Sequence, residues 1–352
     1  MSTIKVNKIE NTATADGGIA IDASGHVTVD GQQLPTDGAL SSRNVIINGN
    51  FVFAQRATSQ TNTGVNSIDR WRAQESGATT TMSQESFTLG QTDVPGASKF
   101  LKFDVTTGNN NAGVQQRVEA QNVYHFLGNK VTLSYFAKGT SPASGLEVAI
   151  TWLDGSSTSS SASTSVTLTS TWTKYTHTFT VPSDSGLTLT NAAASLEVKW
   201  MQFNSDTGTA AWELNLAQVQ LELGDKATPF EHRSYGDELA RCQRYYYRHA
   251  EFSSGGSVGM AAFYQASRIF VGIHFPTTMR AQPTLDASDF TNAYRVFRNG
   301  GNEDFNGFAQ IQESGTSSVV IESDATLSAT GGQAGWCRLQ SSPAHISFSA
   351  EL

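Results

Sequence analysis

The stretch Leu146-Glu147-Val148-Ala149-Ile150-Thr151-Trp152-Leu153 puts Leu146, Val148, Ile150 and Trp152 on one face and Glu147, Ala149, Thr151 and Leu153 on the other. A period of two marks a half-buried strand, because successive side chains point to opposite faces of a sheet. Outward from it the pattern repeats. Tyr175, His177, Phe179 and Val181 make a second face that ends at Pro182, and Leu196, Val198 and Trp200 make a third. In Trp212–Leu223 the phase switches from Trp212, Leu214 and Leu216 to Val219, Leu221 and Leu223, which predicts a one-residue bulge near Ala217-Gln218. Strands at this spacing with polar turns predict a β-sandwich over residues 44–232. The Ser/Thr run 156–165 reads as a solvated loop.

Before this domain, Ile9, Ile19-Ala20-Ile21 and Val27-Thr28-Val29, preceded by Ile4 and Val6, alternate between glycine-containing turns. Residues 1–43 therefore read as a separate β module too small to fold alone, stable only if copies intertwine or if it docks on a larger assembly. Residues 233–250 carry the one convincing helix, roughly 236–248. Ser234 and Asp237 fit a capping box, and Leu239, Cys242 and Tyr246 form its apolar stripe. On that helix Tyr245, Tyr246 and Tyr247 cannot share one face, so packing and copy contacts are expected to divide them. From residue 251 to 352 short strands return (258–263, 269–275, 294–297, 319–321, 345–348), predicting a second, smaller β domain.

Composition narrows the function. Charged residues are 15% and the net charge is −8, with no Lys/Arg run, which argues against a nucleic-acid partner. No stretch has signal-peptide or membrane-spanning character, so synthesis in a cytoplasm without membrane insertion is expected. Cys242 and Cys337 have no metal-ligand neighbours and read as buried thiols, with a disulfide between them left open. The seven histidines are scattered without HxH or HxxxH spacing. No metal and no cofactor is expected.

The strings Asn48-Gly49-Asn50-Phe51, Asp69-Arg70-Trp71, 131–138 (VTLSYFAK), Trp172, Tyr175, 179–182 (FTVP), 219–224 (VQLELG), 227–231 (ATPFE), 233–235 (RSY) and 238–246 (ELARCQRYY) resemble the jelly-roll carbohydrate-binding-like domain of phage tail-fibre proteins. Phe275-Pro276, Met279-Arg280, Pro283-Thr284 and the terminal Ala350-Glu351-Leu352 look like the C-terminal domain of such fibres. The opening Ser2-Thr3-Ile4-Lys5-Val6 looks like the starts of virion fibre proteins from phages of marine cyanobacteria and similar hosts. The resemblance implies a virion fibre or spike subunit, a homotrimer anchored by its N-terminal segment to tail or capsid proteins, with distal domains facing host-surface glycan. The alternative is a non-adhesive structural virion component: a capsid fibre, decoration protein or tail connector. Jelly-roll glycan modules of this kind often hold a structural calcium, through an acid after the opening motif and acids before the last strand's Val-x-Leu-Glu. Here those positions are Val52 and Ala217-Gln218, so no calcium is expected.

Glycan recognition favours an exposed aromatic face, and Trp152, Trp172 and Trp200 are the candidate ligand-binding residues. Trp71 reads as structural, packed beneath an Asp69–Arg70 pair. A polysaccharide depolymerase would need two positioned carboxylates. Glu147, Asp154, Glu197 and Glu213 are each expected on a solvated strand face, and no GxSxG or stacked-coil period is present. No catalytic residue is assigned, and a non-enzyme is expected.

Overall fold

The computed structural model describes residues 8–10, 18–21, 27–29, 32–33, 42–61, 63–107, 111–155, 159–181, 183, 191–202, 210–252 and 256–352. Contacts divide the chain into two units: residues 1–52 with 58–233 and 352, and residues 53–57 with 234–351.

Within the first unit, β1 (Lys8–Glu10), β2 (Gly18–Ile21), β3 (Val27–Val29) and β4 (Gln32–Gln33) form a small antiparallel sheet in chain order. Its register sets Ile9 and Val29 against Ile19, and Val27 against Ile21, so all five share one face. That face is open: Ile9 is 60% exposed, and Ile19 and Ile21 are exposed as well. Ile4 and Val6 lie outside the described residues.

The rest of the first unit is an antiparallel jelly-roll sandwich. Its strands are β5 (Ser59–Gln60), β6 (Arg72–Gln74), β7 (Thr79–Ser86), β8 (Lys99–Thr107), β9 (Gly113–Glu119), β10 (Lys130–Thr140), β11 (Leu146–Leu153), β12 (Ser159–Val166), β13 (Thr173–Thr180), β14 (Ser195–Gln202) and β15 (Trp212–Leu223). One sheet runs β13-β10-β15-β8-β7-β5 and the other β12-β11-β14-β9-β6. The inner faces share one core, with Trp71, Trp152, Trp200, Trp212, Tyr135 and Phe103 fully buried. The three alternating faces read from the sequence are its walls. The phase switch is real: between β10 and β15 the register slips where Gln218 adopts φ +48°. The Ser/Thr run is not all loop. Ser159–Val166 is an edge strand paired with β11 over its whole length, because Ala162 and Val166 supply just enough apolar contact on the inner face.

Buried polar side chains lock the non-strand segments onto this sandwich. Gln116 accepts from Ile47 N (2.8 Å) and donates to Ile47 O (2.7 Å), as a neighbouring strand would. Asn44 Oδ1 accepts from the amides of Ile46 and Leu221, and Asn44 Nδ2 donates to Val219 O. Glu222 accepts from Thr228 N (2.8 Å) and Thr228 Oγ1 (2.7 Å), and Glu231 accepts from the amides of Arg43 and Asn44. Gly49 approaches Val219 so closely that a Cβ would lie 2.2 Å from the carbonyl oxygen. Trp71 is fully buried, as expected, with Nε1 donating to Asn48 O (3.0 Å), while Arg70 Nη2 donates to Arg117 O.

The second unit opens with α1 (Tyr235–Gln243), capped by Ser234 Oγ, which accepts from Asp237 N (3.2 Å). The helix stops five residues short of the expected end. Tyr246 begins β16 (Tyr246–Glu251), since a Tyr-Tyr-Tyr run favours an extended backbone once a sheet edge is available. Then follow β17 (Ser257–Gln265), β18 (Arg268–His274), β19 (Thr284–Ala287), β20 (Tyr294–Arg298), β21 (Gly301–Phe305), β22 (Phe308–Ser314), β23 (Ser318–Ser323), β24 (Ala334–Leu339) and β25 (His345–Ser349). A three-stranded sheet, β16-β25-β19, and a seven-stranded one, β21-β20-β24-β17-β18-β23-β22, close over Phe263, Val271, Ile321, Leu339, Ile346 and Phe348. Residues 53–57 are a strap of this unit: the Arg56 guanidinium sits 3.6 Å from the Tyr246 ring centre, and Arg248 donates to the Gln55 and Arg56 carbonyls. Cys242 and Cys337 are both buried and are not joined by a disulfide. Among the described residues no helix is long and apolar enough to cross a membrane.

Replacing Thr228 by Val removes the hydroxyl that Glu222 accepts from in a buried site. Urea denaturation should show a loss of about 1–3 kcal/mol, the cost of a buried acceptor left unsatisfied. An unchanged midpoint would mean the clamp carries no stability.

Candidate functional site

The tryptophans singled out in the sequence do not form a surface. Trp152 and Trp200 are fully buried, Trp200 packing against Trp71 (5.9 Å between centres) and edge-on to Tyr135 (5.2 Å). They fill the space between sheets and offer no face to a ligand, which corrects the expectation for both. Trp172 lies apart from them, half-buried just before β13, wedged against Phe87 (5.2 Å) and Phe100 (5.3 Å) with the Lys138 ammonium 5.2 Å from its ring.

A cleft lies instead on the outer face of the five-stranded sheet. Alternation aims Glu147, Ala149 and Thr151 of β11 outward, with Glu197, Lys199 and Met201 of β14 and Gln115 and Arg117 of β9. Register aligns them in rows: Glu147 beside Met201, Ala149 beside Lys199 and Gln115, and Thr151 beside Glu197 and Arg117. Gln74 of β6, Asn111 and Gln202 complete a cavity of about 110 Å³. Apart from Met201, the residues that line it are polar or charged.

The electrostatics of the cleft are mixed. Arg117 Nε meets Glu197 Oε2 at 2.9 Å, and Lys199 Nζ lies 3.7 Å from Glu147 Oε2. Glu197 is buried, not solvated as its strand position suggested, and Asp154 is buried too, whereas Glu147 and Glu213 are half-buried. Glu213 is paired with Lys102 at 2.8 Å, and its carboxyl is held below the ordinary range by hydrogen bonds from Lys102 and Asn215, against the opposing effect of burial.

Gln115 Nε2, Thr151 Oγ1 and Ser195 Oγ on this face are buried without a hydrogen-bond partner among the described residues. Gln115 lines the cavity with its side chain almost wholly out of solvent. A buried amide donor without an acceptor costs about 1–3 kcal/mol, so a site that keeps one is poised to give it to a ligand. Carboxylate acceptors, amide donors and one ammonium around a small polar cavity suit a molecule whose groups both donate and accept, such as a sugar's hydroxyls. Among the described residues no aromatic side chain lines this cavity. Sequence reading missed the site because its residues look like an ordinary solvent face until register brings them together.

At the two positions where a calcium ligand was sought, Val52 is half-buried and Gln218 uses its amide to donate to Pro95 O (2.7 Å). Among the described residues no three His, Cys, Asp or Glu side chains converge as a metal site.

No family model and no curated protein matches the chain. Solved structures are similar to part of it. The enzymatically active domain of tailspike protein 4 from bacteriophage CBA120 is 15% identical, with a TM-score of 0.34, over 51% of this chain but only 21% of that one. The C-terminal family 22 carbohydrate-binding module of Clostridium thermocellum Xyn10B is 15% identical over 48% of this chain and 95% of the module, with a TM-score of 0.31. The N-terminal cellulose-binding domain of Cellulomonas fimi β-1,4-glucanase C is 20% identical over 49% and 98%, with a TM-score of 0.29.

Proposed function

We propose that this chain is a non-enzymatic fibre or spike subunit of a bacteriophage particle, which recognises host-surface glycan through the cleft on β9, β11 and β14. The observation that carries the reading is Gln115 Nε2, without a partner among the described residues and buried beside Glu147, Glu197 and Lys199 in a polar cavity. The fibre assignment rests on the sequence motifs, and the N-terminal sheet supports assembly as a homotrimer that is docked on tail or capsid proteins. A four-stranded sheet of this size with Ile9, Ile19 and Ile21 exposed on one face needs an apolar partner. The shallow cleft favours weak single-site binding. A fibre presenting three copies would gain about 10²–10⁴ in avidity without new contacts.

One observation favours the second reading, a structural virion component without a ligand: among the described residues the cavity has no aromatic wall. Binding assays separate the two. Full-length protein should bind a host-surface polysaccharide on a glycan array, and Gln115→Met should weaken that binding roughly tenfold, about 1.4 kcal/mol. The same substitution removes an unmet buried donor, so its melting temperature should hold or rise. Absence of binding by the wild type, or undiminished binding by the variant, would remove the cleft from the account.

The assembly is tested separately. Light scattering on the full chain should give three times its 37.7 kDa mass. A single-copy mass at micromolar concentration would contradict the trimer.

A further inference from the structure

The outer face of the seven-stranded sheet in the second unit carries exposed rings beside a cation that has no ion pair among the described residues. Alternation along β24 turns Ala334, Trp336 and Arg338 outward. Register sets Trp336 between Phe297 of β20 and Met260 of β17, and Arg338 between Arg295 and Ser257. Trp336 Nε1 donates to Ser257 Oγ (2.9 Å), which turns the indole toward the Arg338 row. On the far side of β17, Phe270 of β18 carries Tyr264 stacked on it at 4.8 Å and 9°. Phe270 and Trp336 are two strands and two residues apart, about 12 Å at ordinary sheet spacings.

These rings keep faces for a ligand. Among the described residues Trp336 meets one other ring, Phe297 (5.3 Å, 22°), and Tyr264 meets one, Phe270. Trp336 is 39% exposed and Tyr264 70%. A sugar lays its C–H surface on such a free ring face and leaves its hydroxyls to water. Two rings at this separation fit an oligosaccharide better than a single sugar.

The cation decides which oligosaccharide. Arg295, beside Arg338, is paired with Asp304 at 2.5 Å, and Glu303 and Glu322 are taken by Arg298 and Arg268. Arg338 Nη2 donates to Gln340 Oε1 (2.9 Å), and the guanidinium carbon lies 5.0 Å from the Phe297 ring centre. Its Nη1 is not buried and makes no hydrogen bond with a described residue. A carboxylate at Nη1 would form a charge-assisted bond and supply the missing counter-charge. A second copy of the same face would instead bring a second guanidinium of the same kind. The net charge of −8 opposes an anion at long range, but salt screens it beyond about 8 Å, so the adjacent guanidinium dominates. We propose that this sheet face is a second glycan site, which binds an acidic oligosaccharide by stacking on Trp336 and Tyr264 and pairing a sugar carboxylate with Arg338. The inference goes beyond the cleft of the first unit and stands whether or not that cleft binds.

Calorimetry on the full-length protein tests it with short oligomers of galacturonate, of sialic acid and of hyaluronan as probes. Their methyl esters serve as neutral counterparts, and polyglutamate as an anion without sugar. At least one acid form should bind with a dissociation constant of about a millimolar, and its ester roughly tenfold more weakly. Arg338→Gln should weaken the acid form roughly tenfold and leave the ester unchanged. Tyr264→Ser, at an exposed position, should weaken both, and Gln115→Met neither. The ester comparison uses the unaltered protein, so it decides the matter even where a variant fails to fold. No binding by any acid probe overturns the site, as does an ester that binds as well as its acid. Polyglutamate binding as tightly as the sugars would make the face a general anion surface and overturn the stacking. Acid binding that Gln115→Met lowers and Arg338→Gln leaves unchanged would assign it to the cleft and overturn this site alone.

Discussion

The first unit depends on side-chain amides and carboxylates doing the work of backbone. Gln116 pairs with Ile47 as a strand would, Asn44 bridges to Val219 and Leu221, and Glu222 holds Thr228. Without them, the irregular segment entering the sandwich and the one leaving it would bury unmet amides and carbonyls. With them, both segments are fixed to the last strand, β15, whose bulge at Gln218 turns its apolar parity inward. This clamp gives the strings at 48–51 and 227–231 a structural role. They close the fold.

With closure handled there, the five-stranded sheet is free to carry an outer face of polar groups that do not satisfy one another. Gln115, Thr151 and Ser195 keep unmet atoms although Arg117–Glu197 and Lys199–Glu147 lie among them. A merely solvated face would let those groups reach water. Their burial leaves those atoms without a hydrogen-bond partner among the described residues, a cost the fold carries on this face. In the second unit, Arg268–Glu322 and Arg295–Asp304 are paired, while Met260 and Tyr264 are exposed.

Much of this was legible from alternation alone. The inward parity of β11, β13 and β14, the bulge in β15 and the Ser234–Asp237 cap follow from local periodicity, and each formed as written. What failed depended on distant partners. Trp152 and Trp200 fit a strand face equally well as core or platform, and only the second sheet over them decides for core. Ser159–Val166 has a loop's composition, but β11 offers it an edge to pair with. Tyr246 fits the periodicity of α1, yet β25 captures it. The cleft was invisible because it combines β6, β9, β11 and β14, and no single strand among them announces it.

The central claim is that the Gln115 cleft receives sugar hydroxyls. A crystal structure of the full-length protein grown with an oligosaccharide from the host surface tests it most directly. The account predicts a sugar in the cavity with a hydroxyl within hydrogen-bond reach of Gln115 Nε2 and of a Glu147 or Glu197 oxygen. An oligosaccharide bound elsewhere, with the cavity holding only water, would contradict it.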